Sequence, residues 1–377
     1  EEDGVQSAWL QQFGFKSNVR VRAREWKDAL PGMFVWIDFS SMPQPTAGAM
    51  PSEDEIQKIA SMGKAEARRA LEQELAAAAA VGSGSDGSTD HRHDAGNRLA
   101  EALTAAVNSI PHYVERSTLM LVLVPTTKHH DRVGDVCDFR SWRGRGWCRM
   151  EFMCALMARH NLPVMVVRGI GATPNLVFPA DALFLPAGQG AFTCCARNHD
   201  FGQGPNTALC DKHKVRRVLE VMIEAKVEHL FDESRMFEAR YFAALKHVFM
   251  RGLPQPEHEK AAVLREGAGA IATELSPLGR LKRRLRWHDG VEGGASEARE
   301  TKSTGAGLVF WAAMADDVDA LREALALLPT QGARAAEINR GATKDWPELS
   351  VLRGFNALHG AMCFARWAVV EVLLEAG

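Results

Sequence analysis

The chain has 377 residues, of which 46% are hydrophobic and 24% charged, and its formal net charge is -2 at pH 7. That length is sufficient for two or three domains that each bury a core. The near-neutral charge gives no reason to expect nucleic acid or an anionic membrane as a partner. The longest apolar runs are shorter than the roughly 20 residues that span a bilayer, and no basic and then apolar leader opens the chain.

The seven cysteines are odd in number and unevenly spaced. This pattern suits a reducing compartment better than a disulfide framework. We therefore expect a cytoplasmic protein whose thiols are mostly buried.

The first candidate strand is the apolar run at residues 33–38, MFVWID. A continuous run of this kind predicts a buried strand of a parallel sheet. Asp38, Ser40 and Ser41 follow at its C-terminal end, where open α/β sheets bind ligands. A turn-capping role for Asp38 is an equal alternative. The proline-rich, alanine-rich and Gly/Ser-rich residues at about 43–96 are predicted to be a surface insertion.

The stretch Ser141–Ala158, SWRGRGWCRMEFMCALMA, predicts a Gly/Arg loop and then an apolar helix with Glu151 in its first turn. Apolar runs at Leu119–Val124 and Leu162–Val167 predict a strand on each side. Strands that alternate with helices predict an α/β domain with a parallel sheet and flanking helices. Glu151 has a structural alternative, in which its charge complements the N-terminal end of the helix dipole.

Residues 169–211 are predicted to be irregular and contain several potential metal ligands, and His213 follows closely as another. Five soft ligands lie within about twenty residues, namely Cys194, Cys195, His199, Cys210 and His213. Their spacing matches no standard zinc finger. We therefore predict buried thiols and no metal, with a zinc-stabilised regulator as a weaker hypothesis.

Residues 251–304 are predicted to be a linker that contains a basic helix. The basic residues near Trp287 are Arg280, Lys282, Arg283, Arg284 and Arg286. A solvated helix face is the expected role, and nuclear import or phosphate binding is the alternative.

Residues 354–377 have the pattern of two short helices joined by a turn, with GFNALHGA before VVEVLLEAG. This pattern resembles the ankyrin repeat, with Asn356 and Ala357 in place of the usual Thr-Pro. A weaker copy begins at Val309, and its spacing of 49 exceeds the ankyrin period of about 33. An insertion is therefore expected at about 329–352. Because two repeats seldom bury a stable core, we expect the array to continue in a longer protein.

Several segments of residues 33–168 together resemble the Toll/interleukin-1 receptor (TIR) family and its fungal and protist relatives. The matching segments are Val35-Trp-Ile-Asp38, Ala105–Ile110, Leu121-Val-Leu-Val-Pro125, Trp147-Cys-x-x-Glu151 and Leu162–Val166. The resemblance implies a flavodoxin-like fold and a role in signalling through domain association.

Some members of that family hydrolyse NAD with the Glu of the Trp-Cys-x-x-Glu motif, which corresponds to Glu151. A carboxylate at the mouth of the sheet can stabilise an oxocarbenium-like ribosyl cation as nicotinamide leaves. In this interpretation Asp38, Ser40, Ser41 and Trp147 bind the nucleotide.

The predicted layout is a TIR-like α/β domain at residues 1–250, the linker, and ankyrin repeats at 305–377. The expected function is intracellular signalling or scaffolding without a cofactor. Partner proteins bind the ankyrin surface, and TIR-like domains can also associate with each other. The alternative is an NAD nucleosidase that uses Glu151 as the catalytic residue and takes NAD as its substrate.

Overall fold

The computed structural model describes residues 4–7, 20–35, 105–128, 134–160, 162–196, 210–255, 276–288 and 291–377. The chain divides into one compact unit of residues 1–33 and 111–377 and a second of residues 34–110. Asp38, Ser40 and Ser41 lie outside the described residues, as does the predicted insertion at 43–96.

The strands are β1 (Gly4–Ser7), β2 (Arg20–Arg22), β3 (Met120–Leu123), β4 (Thr127–Lys128), β5 (Val136–Cys137), β6 (Val164–Val167) and β7 (Asn175–Val177). The first helices are α1 (Ala23–Ala29), α2 (residues 105–116), α3 (Phe139–Gly144), α4 (Gly146–Met157), α5 (Thr193–Ala196), α6 (Asp211–Asp232) and α7 (Met236–Phe249). The later helices are α8 (Pro277–Arg284), α9 (Val291–Thr304), α10 (Leu308–Met314), α11 (Val318–Ala326), α12 (Gln331–Ile338), α13 (Ala357–Cys363) and α14 (Trp367–Ala376). Short 3-10 helices occur at Leu30–Gly32, Pro179–Phe184, Ala187–Gln189 and Pro347–Leu349.

The main sheet has five strands in the order β2-β1-β7-β6-β3. Pairs β1–β7 and β3–β6 are parallel, whereas β1–β2 and β6–β7 are antiparallel. The protein is thus mixed α/β, and the prediction of a parallel sheet is wrong for two pairings. Between β6 and β7 the reason is the connection, residues 168–174, which is too short for the crossover that a parallel pair requires.

The two apolar runs around Ser141–Ala158 form the predicted strands β3 and β6, and these pair in parallel from Met120 opposite Val164. The run at residues 33–38 is different. Its described residues, 33–35, lie outside any strand, and Phe34 is fully exposed. The prediction of a buried strand is wrong for these three residues, because an apolar run without periodicity does not by itself specify a strand.

Helix α4 is buried apart from the half-buried Trp147, Arg149 and Glu151, as expected for a helix that is otherwise apolar. It packs against α3, α6 and the two 3-10 helices between β7 and α5. From α6, the buried Lys226 places its Nζ 2.5 Å from the carbonyl oxygen of Ala158 and 3.2 Å from that of Arg159. The ammonium group therefore satisfies carbonyls where α4 ends, as cations commonly do at helix C-termini.

Helix α7 connects the α/β part to the C-terminal helices through aromatic contacts. The Phe237 ring stacks on Trp346 with centroids 3.7 Å apart and lies 5.2 Å from Trp311. The Tyr241 hydroxyl donates a hydrogen bond to the Leu349 carbonyl at 2.8 Å. These contacts extend across the predicted boundaries at residues 250 and 304, and the boundaries themselves stay a prediction.

Arg240 on α7 is a second connection, and it is 1% exposed. Its guanidinium contacts Glu300 at 2.6 Å and Glu297 at 2.7 Å, both on α9. Its Nε donates to the carbonyl of Leu285 at 3.0 Å, and the group lies 4.6 Å from the centre of the Trp287 ring. The predicted linker region thus contributes α8 and α9 to the packed interior.

The C-terminal helices form two pairs, α10–α11 and α13–α14, whose start residues differ by the predicted spacing of 49. The backbone repeats too. Gly305 and Gly354 have φ of 80° and 87°, and Asp316 and Ala365 have φ of 58° and 53°. The two helices predicted within residues 354–377 are confirmed, and the expected insertion contains α12 and a 3-10 helix.

In the part of the chain that the structure describes, no helix combines the length and apolar character needed to cross a membrane.

Lys226 should make stability depend on pH. Burial lowers its pKa from 10.5 to about 8, so the unfolded chain binds more protons than the folded chain between these values, and stability rises with pH there. In Lys226→Met this increase in the free energy of unfolding with pH, about 3 kcal/mol at most, should be absent. Urea unfolding under reducing conditions, at several pH values, measures the difference between the two proteins.

The matched control is Lys246→Met, because Lys246 is partly exposed and paired with an exposed Glu224. Its stability curve should run parallel to that of the wild type. A parallel curve for Lys226→Met as well would contradict the prediction.

Candidate functional site

The stretch Ser141–Ala158 begins differently from the prediction. Residues 141–144 belong to α3, and α4 already starts at Gly146, so Glu151 lies in the second turn and not in the first. Helix α3 starts early because the Asp138 side chain accepts from the Ser141 N–H at 2.8 Å and Ser141 Oγ accepts from the Asp138 N–H at 2.9 Å. This is a reciprocal capping arrangement. The dipole explanation for Glu151 is weakened, because that effect falls off within the first turn.

Gly146 is required by a close approach of two backbone segments. Its N–H donates to the Ala191 carbonyl at 2.8 Å, and the Ala191 N–H donates to the Gly144 carbonyl at 2.8 Å. A Cβ at Gly146 would lie 2.1 Å from the Phe192 ring. Because only glycine leaves this space, the residues that follow Phe192 are brought close to the start of α4.

Trp147 and Glu151 are four residues apart and so lie on the same side of α4. Trp147 is half-buried, and its Nε1 donates to Asp211 Oδ2 at 3.3 Å. Asp211 also contacts Lys214 Nζ at 3.3 Å. Trp147 therefore links α4 to the start of α6. Glu151 is half-buried. Because Asp38, Ser40 and Ser41 lie outside the described residues, the nucleotide site stays a prediction.

Three of the five soft ligands come together where α5 faces the beginning of α6. The sulfur atoms of Cys194 and Cys195 are 3.9 Å apart, those of Cys194 and Cys210 are 3.9 Å apart, and those of Cys195 and Cys210 are 3.6 Å apart. Cys194 is buried, and the other two are half-buried. The sequence identified these residues, but the cluster itself depends on the fold. His213 lies in the first turn of α6, and His199 lies outside the described residues.

The thiols of this cluster have altered acidity. Burial raises the pKa of Cys194 to about 11, although the backbone N–H of Asp211 hydrogen-bonds its sulfur and acts in the opposite direction. Burial also raises the pKa of Cys195, while the charge of Lys212 lowers it. Both thiols are therefore neutral at physiological pH unless a cation replaces their protons.

The basic run near Trp287 is only partly a solvated face. Arg286 pairs with Glu228 and lies 4.4 Å from the centre of the Phe231 ring. Arg286 therefore contributes to packing although, like Arg283 and Arg284, it is exposed.

Two open clefts flank α9. One, of about 620 Å³, is lined by Trp287, His288, Glu297, Ala298, Thr301, Lys302 and Arg340. The other, of about 410 Å³, lies between α7 and α9 and includes Arg235, Arg299 and Lys344. Trp147 and Glu151 line neither of these two clefts.

Sequence reasoning missed Arg366, which is the N-cap residue of α14 and is 3% exposed. Its Nη1 donates to the carbonyl of Ala313 at 2.6 Å and to that of Met314. Arg366 thus joins the second helix pair to the end of α10. No short motif predicts this bond, because the partners are more than fifty residues apart.

A comparison of the two helix pairs identifies an exposed apolar face. Ala313, Met314 and Leu325 are buried in the first pair. The residues 49 positions later are Met362, which is 56% exposed, Leu374, which is 65% exposed, and the exposed Cys363. Trp367 lies seven residues before Leu374, about two turns earlier on the same face of α14, and it is also exposed. We refer to Met362, Cys363, Trp367 and Leu374 as the outer face.

The second pair packs against the first pair. Helices α10 and α13 contact each other, as do α11 and α14. Gly360 lies so close to the Met314 sulfur that a Cβ there would be 2.4 Å away. The outer face is thus the side of the second pair that corresponds to the contact side of the first.

Comparison of the chain with protein-family models, with curated proteins and with solved structures gave no match.

The two glycines near the start of α4 should tolerate substitution very differently. Gly146→Ala should lower the free energy of unfolding by about 1–3 kcal/mol, because the new methyl group overlaps the Phe192 ring. Gly144→Ala is the control, since nothing lies within 4 Å of its Cβ position, and it should change stability by less than about 1 kcal/mol. Urea denaturation of both variants measures this difference. Equal effects would contradict the packing role of Gly146.

Proposed function

We propose that this protein is a signalling or scaffold protein that binds partner proteins through its C-terminal helix pairs, which we assign as ankyrin-type repeats. The supporting observation is that the two helix pairs repeat with a spacing of 49 residues and pack against each other. Met362 and Leu374 of the outer face are exposed, although their counterparts Ala313 and Leu325 are buried. In repeat proteins each pair buries its apolar side against the next, so a side of this kind has the shape of a stacking surface.

The chemistry of the outer face indicates the type of partner. Large apolar side chains exposed together mark interaction sites more often than isolated ones do. The exposed Glu371 and Glu375 lie on the same helix as Trp367 and Leu374. A complementary surface is therefore an amphipathic helix or helix pair with an apolar stripe and basic residues at its edges, which another protein or a further repeat can supply.

The interior contacts support this function because they hold the face in place before a partner arrives. Arg366 fixes α14 to α10, and Phe237 and Tyr241 on α7 hold the insertion between the pairs. A binding surface on rigid helices loses less conformational entropy on association than a flexible one.

The TIR-like assignment of the α/β part, with its flavodoxin-like fold and association between like domains, belongs to the same proposal. The order β3, α4, β6 and the parallel pairing of β3 with β6 support it. The antiparallel strand β7 departs from a fully parallel sheet. Hydrolysis of NAD through Glu151 stays a prediction of the sequence.

A double substitution tests the outer face. Met362→Glu with Leu374→Glu should leave the fold intact, because both side chains are exposed. It should reduce recovery of partner proteins by more than about tenfold, since burial of two unpaired carboxylates in an interface is unfavourable. Quantitative proximity labelling in cells of the source organism compares the variant with the wild type.

Ala368→Glu is the matched control, because it lies on the same helix but its counterpart, Asp319, is exposed in the first pair as well. Partner recovery should be unchanged by this control, and circular dichroism should be the same for all three proteins. Equal partner recovery with the double variant and the control would overturn the proposal.

A further inference from the structure

The cluster of Cys194, Cys195 and Cys210 has the dimensions of a metal site. A tetrahedral zinc ion binds thiolates at about 2.3 Å, which places two ligand sulfurs about 3.8 Å apart. The three distances in this cluster are 3.6, 3.9 and 3.9 Å. We propose that these three cysteines bind one zinc ion through their sulfur atoms.

The geometry supports tetrahedral coordination. An ion about 2.3 Å from all three sulfurs would subtend S–metal–S angles of about 103° to 116° and lie about 0.7 Å out of their plane. Such an ion has its fourth position directed away from the three sulfurs. A water molecule or an imidazole satisfies that position. Three thiolates favour zinc over magnesium or calcium, which prefer oxygen ligands.

Burial opposes ionisation of Cys194 and Cys195, and positive groups near the sulfurs partly offset it. Cys210 immediately precedes the 22-residue helix α6, whose N-terminal end carries a partial positive charge. The backbone N–H of Asp211 hydrogen-bonds the sulfur of Cys194, and the Lys212 ammonium acts on Cys195. Each of these interactions stabilises a thiolate once the metal has displaced its proton.

The expected role of the ion is structural. It joins α5 to the start of α6, and Asp211 in that first turn of α6 is bound to Trp147 of α4. On the other side, Phe192 precedes α5 and packs against Gly146. The ion therefore fixes Cys195 and Cys210, the two ends of the intervening segment, near α4.

A disulfide is the competing arrangement. In a disulfide two sulfurs are about 2.05 Å apart and the third is left out. Here all three separations agree within a few tenths of an ångström. The three-way symmetry favours one shared ion over any single pair.

The test uses the full-length chain, purified under reducing conditions without chelator. Elemental analysis should give one zinc per chain. After removal of the metal by chelation, titration with Zn²⁺ should again give a stoichiometry of one, and Co²⁺ should produce the near-ultraviolet charge-transfer bands of thiolate coordination. The thermal midpoint should fall when the metal is removed.

Cys195→Ser and Cys210→Ser are the informative variants, because both side chains are half-buried and tolerate the exchange better than the buried Cys194. Each should weaken zinc binding by more than about a hundredfold. Cys363→Ser is the control, since that thiol is exposed and outside the cluster, and its zinc content should equal that of the wild type.

Three results would overturn the proposal. The first is the absence of stoichiometric zinc binding by the folded, reduced wild-type protein, which does not depend on how the variants fold. The second is equal zinc affinity in the wild type and both serine variants. The third is a thiol titration of the denatured protein, isolated without reductant, that finds two fewer than the seven cysteines, since this would show a disulfide.

Discussion

The buried guanidinium of Arg240 is the interaction on which the arrangement of the C-terminal half depends. It lies at the junction of three helices and is almost completely enclosed. Its partners are the carbonyls of Leu285 and Arg286, the carboxylates of Glu297 and Glu300, and the face of Trp287. A buried charge is tolerated only when it is paired and fully hydrogen-bonded, and removal of one partner leaves the others uncompensated. The guanidinium therefore requires α7, the end of α8 and α9 to be in place together.

The α6–α7 hairpin connects this junction to the C-terminal helices on one side and to α4 and the cysteine cluster on the other. Toward the C-terminus, Phe237 and Tyr241 on α7 hold the insertion between the helix pairs, and the pairs in turn present the outer face. Toward the start of α6, Lys226 completes the end of α4, and the proposed zinc ion fixes Cys210. One helical hairpin thus carries the contacts that position both proposed sites.

The sequence predicted the elements whose signal is local. The helix pairs were predictable because their apolar residues recur with helical period and the turn between them repeats at a fixed distance. Strands β3 and β6 were predictable as short apolar runs on either side of a helix. The same reasoning was wrong for residues 33–35, where an apolar run forms no strand. It also placed Glu151 in the first turn of its helix, whereas α4 starts at Gly146 without a side-chain cap that would mark its beginning in the sequence.

Non-local features were beyond sequence reasoning. The bonds of Arg240 join residues 45 to 60 positions apart, and nothing near Arg240 marks it as buried. The three cysteines were recognised as soft ligands, but their spacing matches no known metal motif. Their clustering depends on how Gly146 and Phe192 position α5, which the sequence does not show. The outer face required the burial of two related helix pairs to be compared residue by residue.

We expect α7, α9 and the helix pairs to form one cooperative unit, in which Arg240 joins α7 to α9 and Phe237 joins α7 to α10. Native-state hydrogen exchange of the wild type and Arg240→Met tests it most directly. In the wild type, peptides from α7 and α10 should open with free energies that agree within about 1 kcal/mol, and the substitution should lower both by about 3–5 kcal/mol. Arg322→Met, at an exposed ion pair, should lower neither by more than about 1 kcal/mol. Opening of α10 well before α7 in the wild type, or a loss confined to α9 in Arg240→Met, would contradict the account.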